Sequence, residues 1–103
     1  MVGRLGGDEF AVLLDGADSS EAMAVSERIR EGVAKVGQKL DVDIALCGGI
    51  AVIDGKTDAS AVLTAADQAM YEAKVQGNTI VAAAAELSPA EGRLVPFAPR
   101  GGA

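Results

Sequence analysis

Two carboxylates, Asp8 and Glu9, stand side by side directly after the glycine pair Gly6-Gly7, inside the stretch "RLGGDEFAVLL". A glycine turn accounts for a hairpin at this point, but not for two acids where the chain re-enters a strand. The sequence contains no His, which removes imidazole bases, Ser-His-Asp triads and imidazole metal ligands. Any metal site must therefore use oxygen ligands, which favours Mg²⁺, Ca²⁺ or Mn²⁺. Adjacent residues of a regular strand point to opposite faces, so Asp8 and Glu9 can share one site only if the turn breaks that alternation. The alternative is an ordinary Gly-Gly hairpin with two solvated acids.

Further along, Lys74 is a cation near the end of a helical stretch, where it is either a surface residue favoured by the helix dipole or a counter-charge for an anion. Net charge is −6, and Lys and Arg form no stripe, which argues against non-specific nucleic-acid binding. A nucleotide is not excluded, because one local Lys or one metal ion can hold a triphosphate. Cys47 is the only cysteine, forms no internal disulfide and suits a reducing compartment. No secretory or long apolar run is present, so the expected location is cytoplasmic, with no membrane segment.

The elements that must carry these residues follow from the pattern. With 103 residues, one small domain is expected. Its core must be Ala, Val, Leu and Ile, because Phe10, Tyr71 and Phe97 are the only aromatics. Residues 1–5 and 8–14 read as strands around Gly6-Gly7, and Asp15-Gly16 closes the second. Asp18 and Glu21 have the spacing of a capping box, and apolar residues at 22, 25, 29, 33 and 36 form a helical stripe ending near Gly37. Residues 42–53 read as a strand carrying Gly48-Gly49. A second helix, capped by Thr57 or Asp58, buries Val62, Leu63, Ala66, Met70 and Ala73 and ends at Gly77, before a short strand in "NTIVAA". Three prolines, several glycines and no period after residue 84 predict a disordered tail over 84–103. The fold class is α/β (α+β), one sheet with two packed helices in the order β-β-α-β-α-β, and the set reads as incomplete at its start.

The intact Gly6-Gly7-Asp8-Glu9-Phe10 resembles the signature of the GGDEF domain, the diguanylate cyclase family. "ADQAMYEAKVQG" at 66–77 is similar to that family's late helix, and "GGIAV" at 48–52 lies where its central strand carries a Ser-Ile-Gly-like stretch. The resemblance implies a partial nucleotidyl-cyclase-like domain over 1–83, lacking the family's N-terminal strand and helices. It implies condensation of two GTP into cyclic di-GMP with loss of pyrophosphate, dependent on Mg²⁺ or Mn²⁺, between two copies facing each other as a homodimer. Asp8 and Glu9 are then metal ligands and catalytic acids, with Glu9 a metal ligand or the base for the 3′-hydroxyl. Gly6 and Gly7 let the hairpin tip approach the nucleotide, and Lys74 reaches the terminal phosphates. A sensory or receiver domain upstream is a further expectation.

The sequence departs from the family in two places. Gly77-Asn78-Thr79 stands where Gly-Arg-Asn is usual, so a phosphate-contacting Arg is absent, and Gly48 replaces a branched apolar residue. With a first strand and its metal-binding Asp also missing, weak or no turnover by this chain alone is expected. The competing functional reading is a degenerate, non-catalytic module that binds GTP or mediates dimerisation. For single residues, Phe10 is expected in the core, Tyr71 to pack with a wet hydroxyl, Cys47 to be an inert buried thiol, and Asp67 to make a local structural hydrogen bond. Arg4 reads as solvated or as a brace for the hairpin.

Overall fold

The computed structural model describes residues 1–77, 79–83 and 92–99. Among the described residues five strands form one sheet: β1 (Val2–Gly6), β2 (Glu9–Asp15), β3 (Leu46–Ile53), β4 (Ile80–Ala82) and β5 (Gly92–Pro99), in the spatial order β1-β2-β5-β3-β4. The helices α1 (Ser19–Leu40) and α2 (Ala59–Gln76) make the crossovers from β2 to β3 and from β3 to β4. β5 is antiparallel to both β2 and β3, and β4 is parallel to β3. The α+β class expected from the sequence is the observed one.

Alternation along the strands divides the core between the two helices. On one face Ala11, Ala51 and Leu94 pack against Val62 and Ala66 of α2, and Cys47 and Ala98 pack against Met70 and Ala73. On the other face Ile50, Ile80, Val95 and Phe97 pack against Ala22 of α1. The capping box is formed as expected: the Asp18 carboxylate accepts from the Glu21 amide at 2.8 Å, and the Glu21 carboxylate accepts from the Asp18 amide at 3.2 Å. Asp58 caps α2 and accepts from the Ala61 amide at 2.9 Å.

Four expectations need correction. First, α1 runs past Gly37 to Leu40, closed by Asp41 in the left-handed region at φ 57°. Gly37 serves close packing instead, since a Cβ there would lie 2.7 Å from the Val42 carbonyl oxygen. Second, the strand expected over 42–53 starts at Leu46 and runs unbroken through the glycine pair. Third, Leu63 is 42 % exposed, and Ala69 takes its place on the buried face of α2.

The largest correction concerns the tail. Residues 92–99 form the middle strand of the sheet, buried along nearly all of its length; the remainder of 84–103 lies outside the described residues. Pro96 and Pro99 argue against a central strand, because proline has no amide to donate to a ladder. The structure accommodates this locally. The β3–β5 register pairs Gly48 with Phe97 and next Ala51 with Leu94, and the interruption coincides with Pro96. Two glycines make room for the strand. A Cβ on Gly48 would sit 3.0 Å from the Phe97 ring, and one on Gly92 would sit 2.5 Å from the Leu14 carbonyl oxygen. The Phe97 ring thus occupies the space that a side chain on Gly48 would take. Gly49 admits α2 from the other face, where a Cβ would meet the Met70 amide nitrogen at 2.3 Å.

Candidate functional site

The hairpin turn is built from Gly7 and Asp8, not from the glycine pair. Gly6 is paired with Glu9, so Gly7 and Asp8 are the two central residues of a two-residue loop. Gly7 has φ 47°, whereas Asp8 is not among the residues with positive φ. Positive φ at the first central position alone is the mark of a type II′ turn, for which glycine is preferred there. A Cβ on Gly6 or Gly7 would touch nothing within 4 Å, so backbone conformation, not a crowded neighbour in the fold, calls for glycine at both. Register slips between Arg4 and Gly6, leaving Leu5 as an extra residue in β1.

This geometry removes strand alternation as an obstacle to a shared site. Asp8 lies in the turn and is exempt from the strand's two-sided pattern, whereas Glu9 is the first residue of β2. Phe10 pairs with Phe97, which faces α1. Glu9, one residue earlier, therefore faces α2. One step along the same register it falls in a row with Ala98 and Cys47, which pair with each other and pack on Met70 and Ala73. Two inter-strand spacings of roughly 4.8 Å each separate the backbones of Glu9 and Cys47.

Lys74 follows Ala73 in the last turn of α2 and is half-buried. Its ammonium lies within electrostatic reach of Cys47. Burial pushes the Cys47 thiol above its ordinary value, and the Lys74 charge opposes that rise. The start of β2, the end of β5, the start of β3 and the end of α2 thus meet at one end of the sheet, which holds Asp8, Glu9 and Lys74. The Thr79 carbonyl joins the same end by accepting from the Gly48 amide at 3.2 Å. Lys74 also offsets the negative end of the α2 dipole there.

The surroundings are open. Asp8 is exposed and Glu9 half-buried. Among the described residues no group of three or more acidic or thiol side chains gathers into a cage for a metal ion. A pair of carboxylates still fits Mg²⁺, which is commonly held by one or two carboxylates with the rest of its shell from phosphates and water. Arg4 braces the turn: its Nε and Nη2 both donate to the Gly7 carbonyl, at 3.0 and 2.7 Å.

Other residues depart from expectation. Phe10 is 45 % exposed and lines an apolar hollow of about 400 Å³ with Val2, Val12, Ile29, Val33, Leu46 and Phe97, because α1 covers the β3–β5 side of the sheet more than the hairpin. Tyr71 is 68 % exposed on the outer side of α2, not packed. Asp67 is exposed too, and the expected structural hydrogen bond is not among those of the described residues. Cys47 is buried as expected, with Sγ 3.6 Å from the Ala98 carbonyl oxygen. Among the described residues no helix is long and apolar enough to cross a membrane.

Comparison with known proteins identifies the family. Residues 1–79 match the family described as "Diguanylate cyclase, GGDEF domain". The chain is 37 % identical over 82 residues to "Diguanylate cyclase DosC" of Escherichia coli (strain K12), covering 76 % of this chain and 18 % of that protein. It is 37 % identical over 84 residues to "Diguanylate cyclase A" of Treponema denticola, covering 76 % of this chain and 22 % of the relative. It is 38 % identical over 78 residues to "Diguanylate cyclase DgcP" of Escherichia coli (strain K12), covering 72 % and 23 %. The chain thus spans less than a quarter of the length of these relatives. No solved structure matches it.

Proposed function

Given that the chain belongs to the diguanylate cyclase GGDEF family, we propose that its acid-tipped hairpin binds GTP and serves the condensation of two GTP into cyclic di-GMP. The observation that carries this reading is that the hairpin acids and the last turn of α2, which bears Lys74, lie at the same end of the sheet. Without it the motif would be two acids on a hairpin and a lysine on an unrelated helix.

Asp8 and Glu9 would hold Mg²⁺ or Mn²⁺ there. Held there with GTP, such an ion would supply neutralisation of phosphate charge and Lewis-acid polarisation. Lys74 supplies a point charge for the terminal phosphates. Glu9, on the α2 side, completes the metal site or takes the proton of the 3′-hydroxyl that attacks the α-phosphate of a second GTP. Gly6 and Gly7, with open space around both, let the turn lie against the nucleotide. Pyrophosphate leaves, and the same attack in the opposite sense closes the ring. Two copies of the site are needed, so the working form is a homodimer. Most of the catalysis is positioning and charge neutralisation.

One exposed and one half-buried carboxylate retain a divalent ion weakly until phosphate oxygens complete its shell. Turnover by the 103-residue chain alone is therefore expected to be low. The test is to incubate the chain with GTP and Mg²⁺, following nucleotide binding by calorimetry and product by chromatography. Binding with slow cyclic di-GMP formation, both lost in Glu9→Gln, is the expected result. Binding without product, even in a longer natural form of the protein, favours a non-catalytic GTP-binding module, a reading to which Asn78 in place of the family's Arg lends weight. No binding of Mg²⁺-GTP by any form contradicts both.

A further inference from the structure

The Gly7-Asp8 loop can exist as two turns. Types II′ and I′ differ mainly by rotation of the peptide unit between the two central residues, which here joins Gly7 to Asp8. Gly7 tolerates either state, and Asp is among the residues that accept the left-handed region a type I′ turn requires at the second position. The sequence of the loop therefore leaves the choice open. In the structure the choice is made: φ is 47° at Gly7, and Asp8 is not in the left-handed region.

The carbonyl of that same peptide unit is the one Arg4 grips. Nε and Nη2 converge on the Gly7 oxygen at 3.0 and 2.7 Å. A flipped peptide would turn this oxygen away and lose both bonds. Arg4 pairs with Phe10, and the extra residue Leu5 separates it from the paired Gly6. From that position it reaches forward along its own strand to the loop. We infer that Arg4 is a positioning residue: its guanidinium fixes the orientation of the Gly7–Asp8 peptide and so sets the direction of the Asp8 carboxylate.

The planar fork is suited to this role, because two of its donors lie parallel, whereas a Lys ammonium offers a single mobile point of contact. All the residues concerned are exposed, so the brace contributes little to global stability and acts on the local conformation. Its consequence for ligand binding rests on the proposed function, but the turn conformation does not.

The experiment uses the isotopically labelled 103-residue chain as wild type, Arg4→Ala, Arg4→Lys and, as a control for loss of surface charge, Arg28→Ala. The amide–amide cross-peak between Gly7 and Asp8, weak in a type II′ turn and strong in type I′, reports the peptide orientation. Exchange broadening at residues 6–9 reports its interconversion. The expected result is a strengthened cross-peak and new broadening in Arg4→Ala, an intermediate state in Arg4→Lys, no change in Arg28→Ala, and one melting temperature for all four. Arg4→Ala spectra identical to wild type over residues 6–9 overturn the inference. Titration with Mn²⁺ and GTP separates it from the functional proposal. Loss of one charge-assisted contact that orients a ligand is expected to weaken binding about tenfold in Arg4→Ala. A wild type that binds no Mn²⁺-GTP, with the turn freed in Arg4→Ala, sustains the positioning role and defeats the proposed function.

Discussion

Asp8 and Glu9 are neighbours in sequence with different structural duties. Asp8 belongs to a turn and Glu9 to a strand, and that division lets both serve one end of the sheet. The first expected outcome follows at this scale. Glu9→Gln removes a charge from a half-exposed position and should change stability by less than about 0.5 kcal/mol. It should nevertheless abolish cyclic di-GMP formation in any form of the protein that makes it; product chromatography beside a thermal melt checks both halves. The acids, the glycines and Lys74 were legible as candidates because their types and order carry the chemistry. The assignment of the turn to Gly7-Asp8 was not legible, because it depends on the extra residue Leu5 in the partner strand. Arg4 was visible only as a possible brace, since nothing in its spacing names the carbonyl it holds. The exposure of Phe10 and Tyr71 is hidden in the sequence for a related reason. Aromatic character signals burial on average, but which faces the two helices cover is a property of the assembled sheet.

Among the elements, the helices were the most readable and β5 the least. Both N-caps announce themselves by a carboxylate just before the apolar stripe, and both are formed. Asp18→Ala should cost about 1 kcal/mol, seen as a shift of the denaturation midpoint with the slope unchanged. pH dependence arises here as well. The amides of Thr57 and Lys56 hold the Asp54 carboxyl below its ordinary value of 3.8, and the Ala61 amide does the same for Asp58. A carboxyl depressed in the folded state contributes stability that is present above its unfolded value and lost as pH falls through the folded one. Stability should thus decline as pH drops below about 3.8, and Asp54→Asn with Asp58→Asn should flatten that part of the profile. β5 was hidden because its prolines contradict a central strand by local rules, while the features that admit it lie elsewhere, at Gly48 beside the Phe97 ring. Gly48→Val should therefore be destabilising by about 1–3 kcal/mol despite its higher strand propensity. Pairing it with Phe97→Ala should recover part of the loss, as a double-mutant cycle would measure.

For the molecule as a whole, β5 connects the two parts of the sheet. It supplies Leu94, Val95, Phe97 and Ala98 to all three core clusters and stands between the hairpin and the β3–β4 pair. Deleting residues 84–103 should abolish cooperative unfolding in denaturant, where a disordered tail would leave the transition unchanged. The same strand holds the hairpin in register with Cys47 and the end of α2, so the candidate site exists only in the assembled sheet. The class of fold was legible because strands and helices alternate with clear periods; the completed strand order was not, because it needs pairing between residues more than forty positions apart. The central claim is that one end of this sheet receives metal-bound GTP between the hairpin acids and Lys74. Its most direct test is paramagnetic broadening of the labelled chain by Mn²⁺ in the presence of GTP. The account predicts selective loss of signal at residues 6–10, 46–48 and 73–77, with residues 15–18 and 54–58 at the opposite end untouched. Broadening centred on the acids of that opposite end, or none at the hairpin, would contradict it.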